Sequence, residues 1–350
     1  MSFFEKLAHQ ISANAADAAR QTRSVTITRA GDVDEFVEAV RGYQLGFMQL
    51  DKGPFLAEAV QVQLAGVLLT TAHYWRAVVQ LGEPPPGKIT FATLISDVPV
   101  VWQGREFRPH DLLVSTPGVE IDMVSKAGYQ GATASFPREL VEETADCCGW
   151  LRTVQAPTSS IISLDNNKAN VLRTMLEAVF DEAVARPFND LAATWTVSKQ
   201  EDLLHALLRC MHNPASETKV FSNGERARVL KAALAAINDQ PEDVLTVSDL
   251  CRIAKASERT LDYAFTERFG LAPAHYMKVR RLNGARNDLC REHEASMNIA
   301  DIANKWGFWH SGQFARDYRN WFAELPSDTY KRKHDTYPQP CGKRRVGAAC

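Results

Sequence analysis

The sequence predicts an α+β protein in which a β barrel or sandwich with a helical hairpin precedes an all-α region. Two changes of pattern indicate this order. Between residues 43 and 136, short apolar or alternating runs are separated by glycine and proline breakers, as expected for many short strands. After residue 137, apolar residues recur at three- and four-residue spacing, as on amphipathic helices. A chain of 350 residues has room for two or three domains.

Composition and charge favour a nucleic-acid module near the C-terminus. No apolar run approaches the roughly 20 residues that cross a bilayer. Residues 1–21 lack the apolar core of a signal peptide, and a short amphipathic helix is predicted there. The net charge is −2, yet basic residues outnumber acidic ones from residue 223 onward, whereas the reverse holds before it. A basic C-terminal part is typical of nucleic-acid-binding domains.

The seven cysteines are scattered and form no CxxC pair, which favours reduced thiols in a cytoplasmic protein. A metalloenzyme built on a small barrel would need closely spaced histidines, whereas His73 and His110 are solitary. A zinc–thiolate alkylation sensor would need clustered thiolates, and the adjacent Cys147 and Cys148 are poorly placed for tetrahedral ligation. We therefore predict no metal site, no cofactor and no enzyme activity.

Residues 32–41 are predicted to form a helix capped by Asp32 or Asp34. Strands are predicted at residues 45–50, 55–64, 66–71, 75–81, 89–95, 98–102, 112–115, 119–124 and 131–136, and helices at residues 138–148, 166–185 and 199–212. The helix at 166–185 has a long apolar stripe that must pack against something. This helix could belong to the core, form a linker or provide a dimer surface. Residues 213–224 are predicted to be a linker.

Two C-terminal stretches, at about residues 248–269 and 299–322, share one layout. In each, a capping residue precedes a short helix, and a small residue marks where a second helix must pass closely. A tight turn and a longer helix with anchors at four-residue spacing follow, which is the pattern of a helix-turn-helix unit. The caps are Thr246 and Asn298, the small residues Cys251 and Ala303, and the anchors Leu261 and Phe265, then Phe314 and Tyr318.

Helical phase separates the buried face of each second helix from the face that could contact DNA. Arginine suits guanine and glutamine suits adenine, while Tyr263 suits a thymine methyl or a phosphate. Asp262 could accept from a cytosine amine or orient Arg259. The predicted DNA-contacting residues are Arg259, Asp262, Tyr263, Ser311, Gly312, Gln313 and Arg316. For each of them the alternative is a solvated helix face or a phosphate contact.

One helix over residues 274–291 is predicted to join the two units, with an apolar stripe and three arginines. Such a continuous helix would hold the second helices of the two units rigidly apart. A separation of about 34 Å would place them in successive major grooves on one face of DNA.

Several independent spacings in this region resemble the AraC/XylS signature. They are Ile299-Ala-Asp-Ile-Ala, Trp306-Gly-Phe308, Phe314, Tyr318, Phe322, Pro326 and Tyr330, with Phe269-Gly270, Pro273, Tyr276, Arg281-Leu282, Ala285-Arg286 and Leu289 upstream. The resemblance covers about residues 229–332 and implies a seven-helix bipartite DNA-binding domain. It further implies a bacterial, cytoplasmic transcription regulator, an activator that binds double-stranded DNA as a homodimer and works with RNA polymerase.

Two residues depart from that signature. Lys255 stands where the first turn usually has glycine, and a left-handed conformation costs a non-glycine residue roughly 1 kcal/mol. Ala323 replaces the usual glycine after Phe322. The first unit is therefore expected to be less regular than the second.

The N-terminal part resembles the cupin-like sensor domains attached to this family, and among them those of the ethanolamine-operon regulators. The similarity rests on residues 32–41, on residues 49–55 and on the strand pattern. The chain is thus divided into four predicted parts. They are a cupin-like sensor domain (25–150), a helical dimerisation or linker region (160–213), a double helix-turn-helix domain (225–333) and a disordered tail (334–350).

A small-molecule effector is expected to bind inside the β-rich part. The C-terminal part already contains two DNA-binding units, so the β-rich part is expected to have a different function. Its control of the protein requires different affinities for two states. The candidate ligand-lining residues are the aromatic side chains Phe47, Phe55, Tyr74, Trp75, Phe91, Trp102 and Phe107. Each is alternatively ordinary core, and the β-rich part could instead serve only dimerisation or protein docking.

Overall fold

The computed structural model describes residues 23–64, 66–150, 160–185, 190–212, 224–239, 245–291 and 298–334. The chain divides into two compact units, residues 1–51 with 55–227 and residues 52–54 with 228–350. No described helix is both long and apolar enough to cross a membrane. The predicted N-terminal helix, the predicted linker up to residue 223 and the predicted tail from residue 335 lie outside the described residues.

Twelve described strands of the first unit form two antiparallel sheets. They are β1 (Arg23–Ala30), β2 (Gln44–Gln49), β3 (Ala57–Leu64), β4 (Val67–Tyr74), β5 (Val78–Glu83), β6 (Lys88–Leu94), β7 (Val100–Trp102), β8 (Arg105–Phe107), β9 (Asp111–Ser115), β10 (Ile121–Ser125), β11 (Tyr129–Pro137) and β12 (Ser160–Ser163). The seven-stranded sheet has the order β1-β3-β4-β11-β6-β9-β12, and the five-stranded sheet the order β2-β5-β10-β7-β8.

Alternate residues of the seven-stranded sheet face two different cores, because side chains along a strand point to opposite faces. On β11, Ala134 and Phe136 pack with the helices of this unit. Tyr129, on the same strand, packs with residues of the five-stranded sheet. The strand register therefore decides which side chains lie between the two sheets.

The helices of the first unit are α1 (Val33–Ala39), α2 (Arg138–Cys147), α3 (Asn166–Ala185) and α4 (Asp190–His212). Asp32 caps α1, with Oδ1 accepting from Asp34 N at 3.0 Å. Most of the apolar stripe of α3 is buried against α4 and the sheet, in a cluster that includes Leu176 and Leu207, whereas Val171 is 49% exposed. The stripe thus finds its partner within the chain, and a dimer surface on α3 stays a prediction.

Three strands and one helix start were not predicted. β8 and β12 have three and four residues, too few to show a period. β1 alternates as Val-Thr-Ile-Thr but has no turn signal before it. α4 begins at Asp190 rather than at residue 199. Its first turns were not predicted because they contain threonine and valine, which are weak helix formers.

The second unit contains seven described helices, the number that the resemblance implied. They are α5 (Glu225–Asp239), α6 (Val247–Ala254), α7 (Glu258–Phe269), α8 (Pro273–Cys290), α9 (Ile299–Lys305), α10 (Ser311–Phe322) and α11 (Pro326–His334). His334 ends α11 instead of beginning a tail. The predicted α+β fold, with a β-sheet first part and an all-α second part, is confirmed.

Candidate nucleic-acid interface

Both helix-turn-helix units begin with a capping box. Thr246 Oγ1 accepts from Asp249 N at 3.2 Å, and Thr246 N donates to Asp249 Oδ2 at 3.0 Å. Asn298 Oδ1 accepts from Asp301 N at 3.0 Å, and Asn298 N donates to Asp301 Oδ2 at 3.2 Å. Hydrogen bonds from the side chain and backbone of Thr246 lower the pKa of Asp249 to about 2. These bonds satisfy N–H groups that a helix start leaves unpaired, so α6 and α9 begin at these caps.

The turn of each unit needs a left-handed residue. Lys255 occupies that position in the first unit, with φ 51° and ψ 50°, and Gly307 has φ 73° in the second. At the end of α10, Ala323 is also left-handed, with φ 62°. The strain expected at Lys255 is therefore present, but the second unit carries the same kind of strain at Ala323. The expectation that the first unit is less regular than the second is therefore not settled by these backbone angles, because each unit has one left-handed residue that is not glycine.

In the first unit, α7 turns its predicted contact residues outward. Leu261 and Phe265 are buried, whereas Arg259, Asp262 and Tyr263 are exposed. Arg259 Nη2 donates to Tyr263 OH at 3.3 Å, and the guanidinium carbon lies 5.5 Å from the Tyr263 ring centroid. The arginine is therefore held along the outward face of the helix.

In the second unit, α10 has the same division into two faces. Phe314 and Tyr318 are buried. Arg316 Nη2 donates to Gln313 Oε1 at 3.0 Å, so the two side chains suited to base edges lie together. The exposed residues include all four that were predicted to contact DNA, namely Ser311, Gly312, Gln313 and Arg316.

The first unit is attached to α8 by stacked rings. The rings of Phe269 and Tyr276 are 4.3 Å apart and nearly parallel, and Phe265 meets Tyr276 edge-on at 5.2 Å. Arg280 Nη2 on α8 also donates to Asn238 Oδ1 on α5 at 3.2 Å. Aromatic ring contacts therefore contribute to this attachment.

The second unit shares a buried apolar cluster with α8, and one indole lies especially close to that helix. Trp306 Nε1 donates to Asp288 Oδ2 at 2.8 Å, and Lys305 Nζ lies 3.0 Å from the same oxygen. The Trp306 ring lies directly over Gly284, where an added Cβ would be 2.2 Å from a ring carbon. Only glycine at residue 284 allows the ring to approach the helix this closely.

A buried ion pair ties α8 to the turn between α10 and α11. Arg286 Nη1 lies 2.5 Å from Glu324 Oε1, and Thr329 and Arg332 donate to the same carboxylate. Burial raises the pKa of Glu324, but the hydrogen bond from Arg332 and the charge of Arg286 outweigh it, so the pKa is lowered. Glu324 is thus charged at neutral pH and holds three elements together.

The N-terminal compact unit, which holds the two sheets, contains a cavity of about 80 Å³ between them. Both sheets and α1 contribute to its wall, which includes Phe36, Tyr43, Trp102, Ser115 and Tyr129. Measured in this way, a single buried water needs about 10–15 Å³. The cavity therefore has room for a small organic molecule.

Of the seven predicted ligand-lining residues, the structure places Tyr74, Trp102 and Phe107 on this cavity. Phe47 and Phe55 are buried beside it in the core between the sheets. Phe91 lies on the opposite face of β6, edge-on to Phe136 at 6.0 Å. Trp75 stacks on His73 at 3.5 Å, and burial lowers the pKa of His73 to about 4. The register of the strands, which the sequence shows poorly, accounts for this division.

Residues 250–332 match a family model described as a helix-turn-helix domain. The chain is 32% identical over 255 residues to the XylDLEGF operon transcriptional activator 3 of Pseudomonas putida, a match that covers 69% of this chain and 72% of that protein. The chain belongs to the AraC/XylS family. It is a DNA-binding transcription regulator.

Other matches cover smaller parts of their relatives or are more distant. The probable thc operon regulatory protein of Rhodococcus erythropolis is 33% identical over 100 residues, and the chain spans only 30% of its length. The solved structure of the AraC-like transcriptional activator CuxR matches with a TM-score of 0.36 and 17% identity, over 66% of this chain and 81% of that one.

One exposed aromatic residue of this AraC/XylS regulator was missed from the sequence. Trp309 is 70% exposed and lies two residues before α10, beside the predicted contact residues. Its neighbour Phe308 instead packs against Phe314, with ring centroids 5.1 Å apart. The sequence did contain a signal for this residue. Trp309 is aromatic, lies next to a recognition helix and is out of phase with the buried apolar stripe.

Proposed function

We propose that this chain is a transcription activator that contacts two adjacent DNA sites with α7 and α10 and is controlled by a small molecule bound between its two sheets. The observation that carries the proposal is the pairing of two recognition helices on one scaffold helix. Each of the two has a buried face and an outward arginine. α8 has 18 residues, or about 27 Å of helix, between them.

Base recognition is assigned mainly to Arg316 and Gln313 on α10 and to Arg259 on α7. Arginine binds guanine O6 and N7 with two parallel hydrogen bonds, and glutamine pairs similarly with adenine. Tyr263, Asp262 and the first-turn residues Ser311 and Gly312 then position the helices or contact phosphates. The relative named as an operon activator supports activation, for which we infer RNA polymerase as the protein partner.

Two substitutions of Arg316 test the base contact. Arg316→Ala is expected to weaken binding by about 1–3 kcal/mol and to relax preference at one base position. Arg316→Lys keeps the charge but loses the two-pronged geometry, so it should relax that preference while leaving the salt dependence of binding nearly unchanged. Gel-shift titrations against single-base site variants measure both. An unchanged base profile in both variants would remove Arg316 from the contact set.

Control by a small molecule is inferred from the cavity between the sheets. A bound effector shifts activity only if it binds one state of the protein more tightly than another. Residues 225–333 are expected to fold and to bind DNA without the rest of the chain, because the caps, apolar clusters and scaffold helix of the DNA-binding part all lie there. This DNA-binding piece and the chain before it, a sensor at 25–150 and helices at 160–213, are the proposed domains.

A reporter promoter separates this function from a ligand-free one. The full chain should give transcription that changes with a metabolite, whereas a chain lacking residues 1–220 should bind DNA without that change. If the shortened chain kept metabolite-dependent transcription, the sensor role would be wrong. Analytical ultracentrifugation of the full chain checks the proposed homodimer. Because its target is the bacterial chromosome, the protein is proposed to act in the cytoplasm, on nucleoid DNA.

A further inference from the structure

The wall of the cavity between the sheets is uncharged. Among the described residues that line it, none is an aspartate, glutamate, lysine, arginine or histidine. Its ionisable groups are tyrosines, and burial raises the pKa of both Tyr74 and Tyr129, so they stay neutral at pH 7. A carboxylate or ammonium group moved into this space would lose its hydration and meet no opposite charge. The wall therefore disfavours charged molecules.

Several polar side chains of the wall are already paired within the protein. Tyr43 OH lies 2.8 Å from Thr133 Oγ1, and Tyr74 OH donates to Gln80 Oε1 at 3.1 Å. Thr90 Oγ1 lies 2.9 Å from a serine hydroxyl on β11. These groups have exchanged their water contacts for protein contacts and do not require a ligand.

Two wall residues carry polar atoms without such a partner. Trp102 Nε1 and Ser115 Oγ are buried and make no hydrogen bond within the described part of the chain. The two residues are only 6% and 3% exposed. A buried donor that stays unpaired is unfavourable, and most such groups in proteins are paired with protein, water or a ligand. Trp102 is on β7 and Ser115 on β9, so the two sheets contribute one atom each.

We propose that the cavity binds an uncharged, largely apolar molecule whose hydrogen-bond acceptor is held by Trp102 and Ser115. The proposal rests on the small-molecule control proposed above and adds the chemical class of the effector. An indole N–H only donates and a hydroxyl can donate, so a carbonyl, amide or hydroxyl oxygen fits them. The aromatic and aliphatic remainder of the wall fits an apolar frame, and the small volume limits that frame to about one ring.

Matched triplets of small molecules test the charge class on the full-length protein. Benzamide, benzoate and benzylamine share one frame and are neutral, anionic and cationic at pH 7, and the corresponding cyclohexyl compounds form a second triplet. Specific binding to the folded state raises the melting temperature, and the stabilisation grows with the logarithm of one plus the ligand concentration divided by Kd. The amides are expected to raise it at millimolar concentration, whereas the carboxylates and amines leave it unchanged. Calorimetric titration then gives Kd.

Variants locate the acceptor site. Trp102→Phe keeps a ring but removes the donor, and Ser115→Ala removes only the hydroxyl. Each should weaken amide binding about tenfold, the loss of one hydrogen bond. Ser125→Ala is the matched control, since its hydroxyl is also buried and unpaired within the described residues but does not line the cavity. If Trp102→Phe fails to fold, Ser115→Ala against Ser125→Ala decides alone.

Each outcome has a distinct meaning. Amide binding that both cavity variants weaken and Ser125→Ala spares supports the proposal. Carboxylates or amines that bind as well as the amides would overturn the uncharged class but leave small-molecule control standing. Amide binding that ignores both cavity variants would overturn the assigned acceptor site. If no member of either triplet binds, the inference is overturned, whereas the reporter promoter described above still decides whether a small molecule controls the protein.

Discussion

The two helix-turn-helix units begin alike and are attached to the scaffold helix differently. Both start with a capping box and both turn an arginine outward from a buried aromatic or aliphatic face. The first is attached to α8 by the stacked rings of Phe269 and Tyr276. The second packs on α8 through a buried apolar cluster that includes Leu282 and Phe314. The Trp306 ring also lies against Gly284, and an ion pair joins Arg286 to Glu324.

The difference shows that two units with one layout need not tolerate the same changes. The ring contacts that attach the first unit are each worth about 1 kcal/mol beyond their burial. The second unit combines a buried apolar cluster with one close approach at Gly284, which a single methyl group would block. Conversely, the turn of the first unit contains a strained lysine where the second has glycine.

Gly284→Ala should have the largest effect on this comparison. Alanine normally stabilises a helix interior relative to glycine, by about 1 kcal/mol. Here the added Cβ would displace Trp306 and cost about 1–3 kcal/mol by overpacking, with loss of DNA preference in the second unit only. Thermal unfolding and base-preference titrations measure the two effects. Gly312→Ala, whose Cβ would meet nothing within 4 Å, is the control for stability. Equal melting temperatures for both variants would contradict the account.

Trp309→Ala should have the next largest effect, on affinity rather than on stability. An exposed indole beside α10 can donate to a phosphate, and its loss should weaken binding by about 1.5 kcal/mol without altering base preference. Leu325→Ala, also an exposed apolar residue, lies after α10 and serves as the control. The proposed contact would be wrong if both variants bound DNA equally well.

Exchanging the turn residues should give smaller, opposite effects. Lys255→Gly should raise the free energy of unfolding by up to about 1 kcal/mol, because φ 51° is strained for a residue with a side chain. Gly307→Ala should lower it by a similar amount in the second unit. Urea denaturation of both variants measures this. A destabilised Lys255→Gly protein would show that the lysine side chain contributes more than its backbone strain removes.

Lowering the pH should have the smallest effect of the four changes, and it should act on the cap of the first helix-turn-helix unit only at low pH. The pKa of Asp249 is lowered to about 2 when folded, so its contribution is complete above the unfolded value near 3.8 and is lost as pH falls through 2. The melting temperature of Asp249→Asn should therefore lie below that of the wild type at pH 6, with the gap narrowing toward pH 2. A gap that stayed constant over this range would mean that the carboxylate charge contributes nothing.

The C-terminal, helical part of the chain could be predicted more fully than the β-sheet part, because its features depend on short stretches of sequence. Helix caps, turn positions and outward residues depend on neighbours in sequence, so Lys255, Asn298 and Arg316 lie where they were expected. The cavity depends on strand register, which sets the direction of every side chain on a strand. Phe91 was assigned to the cavity because it is aromatic, but its phase on β6 turns it toward Phe136.

Close approaches were also beyond the sequence. Gly284 lies inside a helix, where glycine is unfavourable, and nothing near it in the chain indicated that Trp306 would cover it. Cys251 was predicted to be the small residue at the helix crossing of the first unit, but it is only half-buried, whereas Ala254 is 1% exposed. Such contacts join residues far apart in the chain or depend on exact helix phase.

Selection of binding sites from random DNA by the full-length protein tests the central claim most directly. If α7 and α10 enter successive major grooves, which lie about 34 Å apart, the account predicts a two-part motif with its halves roughly 10–10.5 base pairs apart, centre to centre. Arg259→Ala should flatten the preference of one half only, and Arg316→Ala that of the other. A single-part motif, or two variants that change the same positions, would contradict the claim that both units recognise DNA side by side.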